Sequence, residues 1–245
     1  MTELGDNVSF FSVSLWLILF GILSFMVRVK ICGITNLEDA LAAVEAGADL
    51  LGFNFYTRSK RYISPRDARA VVEMLPTSVV SVGVFVNEEG PEAVERIACE
   101  AGVGAVQLHG DETPEFCARV RGLMTLKALR VGADYSAERA ALYGTDAVLL
   151  DAFVADAWGG TGHTFDWSLA RSTREVVPRL FLAGGLTPDN VAAAVEAVGP
   201  YAVDVCSGVE TSPGRKSFQL MRRFVEAVGE AGEGETEGRG EGETG

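Results

Sequence analysis

The sequence predicts an α/β fold: a parallel eight-stranded sheet closed into a single (β/α)8 barrel. Three observations lead there. From Val27 onward, short apolar runs alternate with amphipathic stretches. Eight such pairs fill roughly 200 residues, the size of a compact barrel. No run is polar enough to serve as an exposed sheet edge, and the alternative, an open doubly wound sheet, needs two edges. Of the 245 residues 48% are apolar, which suffices for a full core.

The strand candidates, in order, are "VRVKICGI" (27–34), "LLGFNF" (50–55), "VVSVGVFV" (79–86) and "AVQLHG" (105–110), then "TLKALRV" (125–131), "AVLLDAF" (147–153), "LFLAGG" (180–185) and "AVDVCSG" (202–208). Each is short, rich in β-formers and bounded by turn residues, as a strand buried on both faces should be. Helix signals separate them. Asn36 opens "NLEDALAAVEAG", which closes at Gly47. Ser64, Thr113 and Thr187 each precede a proline, a cap residue followed by proline at the first helical position.

The barrel is expected to occupy residues 26–228, flanked by two segments of different character. Residues 229–245 carry six Glu and one Arg among glycines, with no periodic apolar residues, and read as a disordered acidic tail. Residues 1–25 form an apolar extension. Between Asp6 and Arg28 lie 21 uncharged residues, long enough for a membrane span. The leading segment is acidic and lacks a cleavage pattern, so it is a poor signal peptide. The first strand follows with no linker, and Met26 stands immediately before it. The expectation is therefore an upstream start rather than an anchor, with a membrane segment as the alternative.

The formal charge is −13, and −6 of it falls on the barrel region. An acidic surface argues against nucleic acid or an anionic membrane as partner. The four cysteines, Cys32, Cys99, Cys117 and Cys206, show no C-x-x-C spacing and no clustering with histidine. A structural zinc site and a disulfide framework are both disfavoured, and reduced thiols in a cytoplasm are expected.

Chemistry in such a barrel sits at the C-terminal ends of the strands. That rule gathers Cys32, Asn54, Gln107 with His109, Lys127 or Arg130, Asp151, Gly184 with Gly185, and Asp204 with Ser207 and Gly208 at one mouth. "LAGGLTPDNV" and "DVCSGVE" put glycines directly after strands seven and eight, where exposed backbone N–H groups suit a phosphate. Asp151 ends an apolar run, where a carboxylate is costly to bury without a task or partner. Cys32 lies across the mouth. A thiolate and a protonated carboxyl there could act as general base and general acid on one substrate, although a packed cysteine and a capping aspartate fit the same residues. Arg61, in "TRSKRYISP", could grip a carboxylate bidentately or simply be solvated. His109 reads as a packed or orienting residue rather than a catalyst, and His163 as part of a glycine-rich lid.

Taken together, "VKICGIT", "SKRYISP", "VGVFVNE", "VQLHGDE", "LLD", "GGTG.TFDW", "LAGGLTPDNV" and "VDVCSGVE..PG" resemble phosphoribosylanthranilate isomerase, in order, over residues 27 to 226. The resemblance implies a TIM barrel of tryptophan biosynthesis that works without cofactor or metal. Its reaction is the Amadori rearrangement of N-(5-phosphoribosyl)anthranilate to the 1-deoxyribulose 5-phosphate derivative. It further implies that Cys32 is the general base and Asp151 the general acid, and that Arg61 holds the anthranilate carboxylate. Gly184, Gly185, Ser207 and Gly208 would take the phosphate, with Asp204 ordering that end of the site. A small-molecule substrate, a cytoplasmic location and a monomer or homodimer are the matching expectations.

Two positions depart from the family pattern. Cys206 stands where serine is usual, a nearly isosteric exchange expected to matter little, and His163 replaces a lysine. Lys30 shares the strand parity of Cys32 and is expected to favour the thiolate if it faces the barrel interior. The rivals are another phosphate-binding sugar isomerase, which would use paired aspartates rather than Cys plus Asp, and a membrane-tethered barrel that binds without catalysis.

Overall fold

The computed structural model of the chain describes residues 27–132, 135–151 and 167–237. Its strands are β1 Arg28–Cys32, β2 Leu50–Asn54, β3 Val80–Phe85, β4 Ala105–Leu108, β5 Met124–Arg130, β6 Ala147–Asp151, β7 Leu180–Ala183 and β8 Ala202–Val205. All eight fall on the predicted runs, and each ends where a turn residue interrupts the apolar sequence. They close into one barrel in sequence order, every pair parallel, with β1 sealed against β8. The closed ring is the prediction of the fold class, and it disposes of the open-sheet alternative.

Helices cover the outside: α1 Leu37–Ala46, α2 Pro65–Val72, α3 Pro91–Ala101, α4 Pro114–Cys117, α5 Ala137–Ala141, α6 Trp167–Val176, α7 Val191–Val198 and α8 Phe218–Glu237. The caps do what the sequence asked of them. The Asn36 side chain accepts from the Asp39 amide at 2.8 Å, and Gly47 leaves α1 with φ 101°. Ser64 and Thr113 accept from the amides of Asp67 and Phe116. Thr187–Pro188 behaves differently. The Asn190 side chain folds back to accept from the Thr187 amide at 2.8 Å and donates to the Gly185 carbonyl at 3.0 Å. Residues 188–190 thereby form a turn, and α7 begins only at Val191.

The C-terminal helix also runs beyond its expected end. Val228 and Ala231 are buried on the barrel, and α8 packs against α1 and α7, so helix continues through the Glu-rich stretch to Glu237. The apolar extension 1–25, the lid segment with His163 and residues 238–245 lie outside the described residues. Among the described residues no helix is long and apolar enough to cross a membrane.

Strand parity divides the core in two. Leu50, Val82, Ala105, Leu126, Ala128, Ala147, Leu149, Phe181, Ala183 and Ala202 fill the barrel interior. The residues of opposite parity, such as Ile31, Leu51, Phe53, Leu150, Leu182 and Val203, pack under the helices. Parity also corrects the assignment of Lys127 to the mouth. Lys127 alternates with the inward residues Leu126 and Ala128, so it points outward and is buried there, donating to Glu112 at 2.6 Å and to the Gly110 carbonyl at 2.7 Å. Arg130 is exposed at the end of β5 and does not line the mouth.

Candidate active site at the barrel mouth

A cavity of about 260 Å³ opens at the C-terminal ends of the strands. Its wall residues carry inward parity on each strand: Cys32 on β1, Asn54 on β2, Gln107 on β4, Asp151 on β6 and Asp204 on β8. The loops add Arg61, His109, Gly184, Gly185, Cys206 and Ser207. Cys32 and Asp151 therefore face one space from strands three places apart around the ring.

Beneath Cys32 lies a buried ionic cluster. Lys30 is fully buried inside the barrel and donates to the Asp204 carboxylate at 2.8 Å. In the β1–β2 register Cys32 pairs with Gly52. A Cβ at Gly52 would come within 2.8 Å of the Cys32 sulfur and 3.1 Å of the Lys30 ammonium. The missing side chain is what lets the two approach. The Cys32 thiol is held well below its ordinary value, first by a hydrogen bond from Cys206 and then, against the cost of burial, by the charges of Lys30 and Lys216. Cys206 is pushed up in turn, by its bond to Cys32 and by burial, so it stays the thiol donor of the pair. The exchange at Cys206, expected to be inconsequential, thus lands on the sulfur of Cys32. Asp204, whose carboxyl burial raises to about 6 against the pull of Lys30, is ionised at neutral pH.

Across the cavity, the His109 Nε2 stands 3.7 Å from the Asp151 Oδ2. The Gln107 amide nitrogen donates to His109 Nδ1 at 2.8 Å, which leaves the ring proton of a neutral imidazole on Nε2, facing Asp151. The Gln107 Oε1 is buried and has no hydrogen-bond partner among the described residues.

The glycines after β7 and β8 play different parts. Gly184 and Gly185 have φ 95° and 67°, a left-handed pair that turns backbone toward the cavity they line. Ser207 lines it too and opens the short 3-10 turn Ser207–Val209. Gly208 is not on the wall. A Cβ there would collide with the Leu186 carbonyl, so Gly208 lets the two loops pack together.

Arg61 reaches the cavity already bound. Its Nε and Nη2 donate to the Glu210 carboxylate at 2.8 and 2.6 Å, leaving Nη1 without a hydrogen bond in the described structure. Glu210 also accepts from Lys216 at 3.0 Å, and these two cations hold its carboxyl below the ordinary range despite burial. Glu210 and Lys216 sit on a small hairpin, β9 Glu210–Ser212 and β10 Arg215–Lys216, joined by Pro213–Gly214. Thr35 donates to the Gly214 carbonyl at 2.7 Å, and Asp39 accepts from the Lys216 amide at 3.0 Å, tying the hairpin to the loop after β1 and to α1.

Comparison with known proteins decides the family. The profile of N-(5'-phosphoribosyl)anthranilate (PRA) isomerase matches residues 29–227. The chain belongs to the PRA isomerase family. Among its relatives, the N-(5'-phosphoribosyl)anthranilate isomerase of Trichlorobacter lovleyi is 50% identical over 206 residues, 84% of this chain and all of that protein. That of Thermotoga neapolitana is 53% identical over 201 residues, covering 82% and 97%. The crystal structure of phosphoribosyl anthranilate isomerase from Thermotoga maritima superposes with a TM-score of 0.76 at 49% identity, covering 83% of this chain and 98% of that one. Another PRA isomerase, crystallised with reduced 1-(o-carboxyphenylamino)-1-deoxyribulose 5-phosphate, gives 0.74 at 48% identity, covering 83% and 98%.

Within this PRA isomerase fold, sequence reasoning missed Glu210, Lys216 and Gly52. The Pro213–Gly214 pair signals a turn and so a hairpin beyond the last strand. Nothing local signals that Gly52 faces a sulfur.

Proposed function

We infer that this chain converts N-(5-phosphoribosyl)anthranilate into 1-(2-carboxyphenylamino)-1-deoxyribulose 5-phosphate in tryptophan biosynthesis, with Asp151 as general acid and Cys32 as general base. Family membership carries the reaction. The observation that carries the residue roles is that a lowered thiol and a carboxyl border one cavity from different sides.

Asp151 gives its proton to the furanose ring oxygen while the anilino nitrogen pushes the C1–O bond open, leaving a Schiff base. The Cys32 thiolate removes the proton from C2, and the electron pair flows toward nitrogen to form an enolamine. Return of a proton to C1 and loss of the hydroxyl proton at C2 give the ketone. Two protons enter, at the ring oxygen and at C1, and two leave, from C2 and from its hydroxyl, so the composition is unchanged, as an isomerisation requires. His109 steers the Asp151 carboxyl toward the sugar, and the unpartnered Gln107 oxygen suits a sugar hydroxyl.

The phosphate is assigned to the backbone of Gly184 and Gly185 with Ser207. Gly208 supports it by letting its loop close, and Asp204 by anchoring Lys30. Arg61 offers Nη1 to the anthranilate carboxylate, its plane fixed by Glu210. A cytoplasmic enzyme, monomeric or homodimeric, fits the reading; the solved relatives include monomers of the dimeric enzyme from Thermotoga maritima.

Cys32→Ala and Asp151→Asn test the roles. Each is expected to lose on the order of 10²–10⁴-fold in turnover, followed as decay of substrate fluorescence. Both should still bind the reduced product analogue. Full activity in either variant refutes its assignment.

A further inference from the structure

Two of the four cysteines share the mouth, and the reaction as assigned uses one of them. Cys32 ends β1, and the β1–β8 register pairs Lys30 with Asp204 and Ile31 with Val205. Cys32 is the next residue of β1, and Cys206 is the first residue beyond β8, where the chain turns out of the strand. Neighbouring strands run roughly 4.8 Å apart, inside the usual Cα separation of a disulfide, about 4.4–6.8 Å. Both residues have inward parity, both line the cavity, and each thiol bears on the other's acidity. A Cβ at Gly33 would lie 3.0 Å from the Cys206 sulfur, so that glycine keeps the approach clear. Cys99 on α3 and Cys117 on α4 do not line the cavity.

We propose that Cys32 and Cys206 form a reversible disulfide across the β1–β8 seam when the protein meets an oxidant of the peroxide class, making the mouth a redox modification site. The Cys32 thiolate attacks one peroxide oxygen. The O–O bond breaks, hydroxide leaves and is protonated to water, and Cys32 becomes a sulfenic acid. The Cys206 sulfur then attacks the Cys32 sulfur. The S–O bond breaks, and the departing hydroxide leaves as water with the proton from Cys206. Two thiols lose two electrons and two protons, and one peroxide becomes two waters. A dithiol reverses the bond by exchange.

The surroundings favour the second step once the first has occurred. While Cys32 is an anion, it holds the proton on Cys206. Sulfenic acid formation removes that anion. Lys216, its ammonium 3.9 Å from the Cys206 sulfur, and Arg61 then favour the Cys206 thiolate. The disulfide protects Cys32 from irreversible sulfinic oxidation.

The experiment treats the full chain with stoichiometric hydrogen peroxide, blocks free thiols with N-ethylmaleimide and maps peptides with and without dithiothreitol. A cross-linked peptide pair joining Cys32 to Cys206, lighter by two hydrogens, is expected, with activity lost and then restored by dithiothreitol. Cys206→Ser should yield no cross-link, and its peroxide-treated activity, relative to its own untreated value, should not return. Wild-type chain carrying sulfinic acid at Cys32 without the cross-link overturns the proposal, as does equal recovery in Cys206→Ser. The peptide map needs neither catalysis nor the variant, so its outcome is independent of the assigned reaction.

Discussion

Replacing Lys30 by methionine removes one charge from the buried cluster and should change the chemistry of a different residue. Because the Gly52 Cβ position lies 2.8 Å from the Cys32 sulfur and 3.1 Å from the Lys30 nitrogen, those two atoms are at most about 5.9 Å apart. At an effective dielectric of ~20, opposite charges at that separation attract by roughly 3 kcal/mol. Lys30→Met forfeits that attraction, which corresponds to about a hundredfold fall in the Cys32 thiolate population at a fixed pH below its titration. The assay is the rate of Cys32 alkylation by iodoacetamide against pH, with the site read by peptide mapping. The profile should move to higher pH and turnover should fall with it. A second consequence distinguishes this from general damage. Asp204 loses its counter-ion, and orphaning a buried charge costs about 3–5 kcal/mol. The stability loss should therefore be greater at pH 8, where the carboxyl must ionise, than at pH 5, where it can take up a proton. An unchanged alkylation profile in a folded Lys30→Met variant would refute the electrostatic reasoning.

Gly52→Ala forces a methyl between the Cys32 sulfur and the Lys30 ammonium, and overpacking of this kind costs about 1–3 kcal/mol; denaturant unfolding should show the loss, and turnover should fall further than stability explains. Gly208→Ala meets backbone at Leu186, which cannot yield as a side chain can, so binding of the phosphate-bearing product analogue should weaken while Cys32 alkylation is unchanged. The Asp204 carboxyl should titrate at about 6 by carbon NMR. Because that value is raised, its contribution to stability is complete below 3.8, the unfolded value, and is lost as pH rises through about 6; a midpoint below 4 would contradict the burial of this carboxyl beside Lys30.

Glycine and proline punctuation marked the strand and helix limits because caps and turns are local chemistry. Asn36 and Gly47 bound α1 as their residue types require. Thr187–Pro188 failed as a helix start because Asn190, three residues on, competed for the same backbone. The candidate site was legible only as a set of strand ends. The rule that strand ends carry chemistry selected Cys32, Asp151 and Gly184 correctly as mouth residues and placed Lys127 wrongly, since one step of parity sends a side chain to the other face.

The amino-acid sequence by itself determined the eightfold alternation of strand and helix, the caps and the direction in which the strands point, because each depends on residues within a turn or two of one another. The partners of the site residues were decided only by closure of the barrel. Lys30 meets Asp204 across 174 positions and Arg61 meets Glu210 across 149, and Cys206 reaches Cys32 only because β8 seals against β1. A thiol's acidity depends on charges and hydrogen bonds within a few ångströms, and such neighbours exist only once the ring is closed.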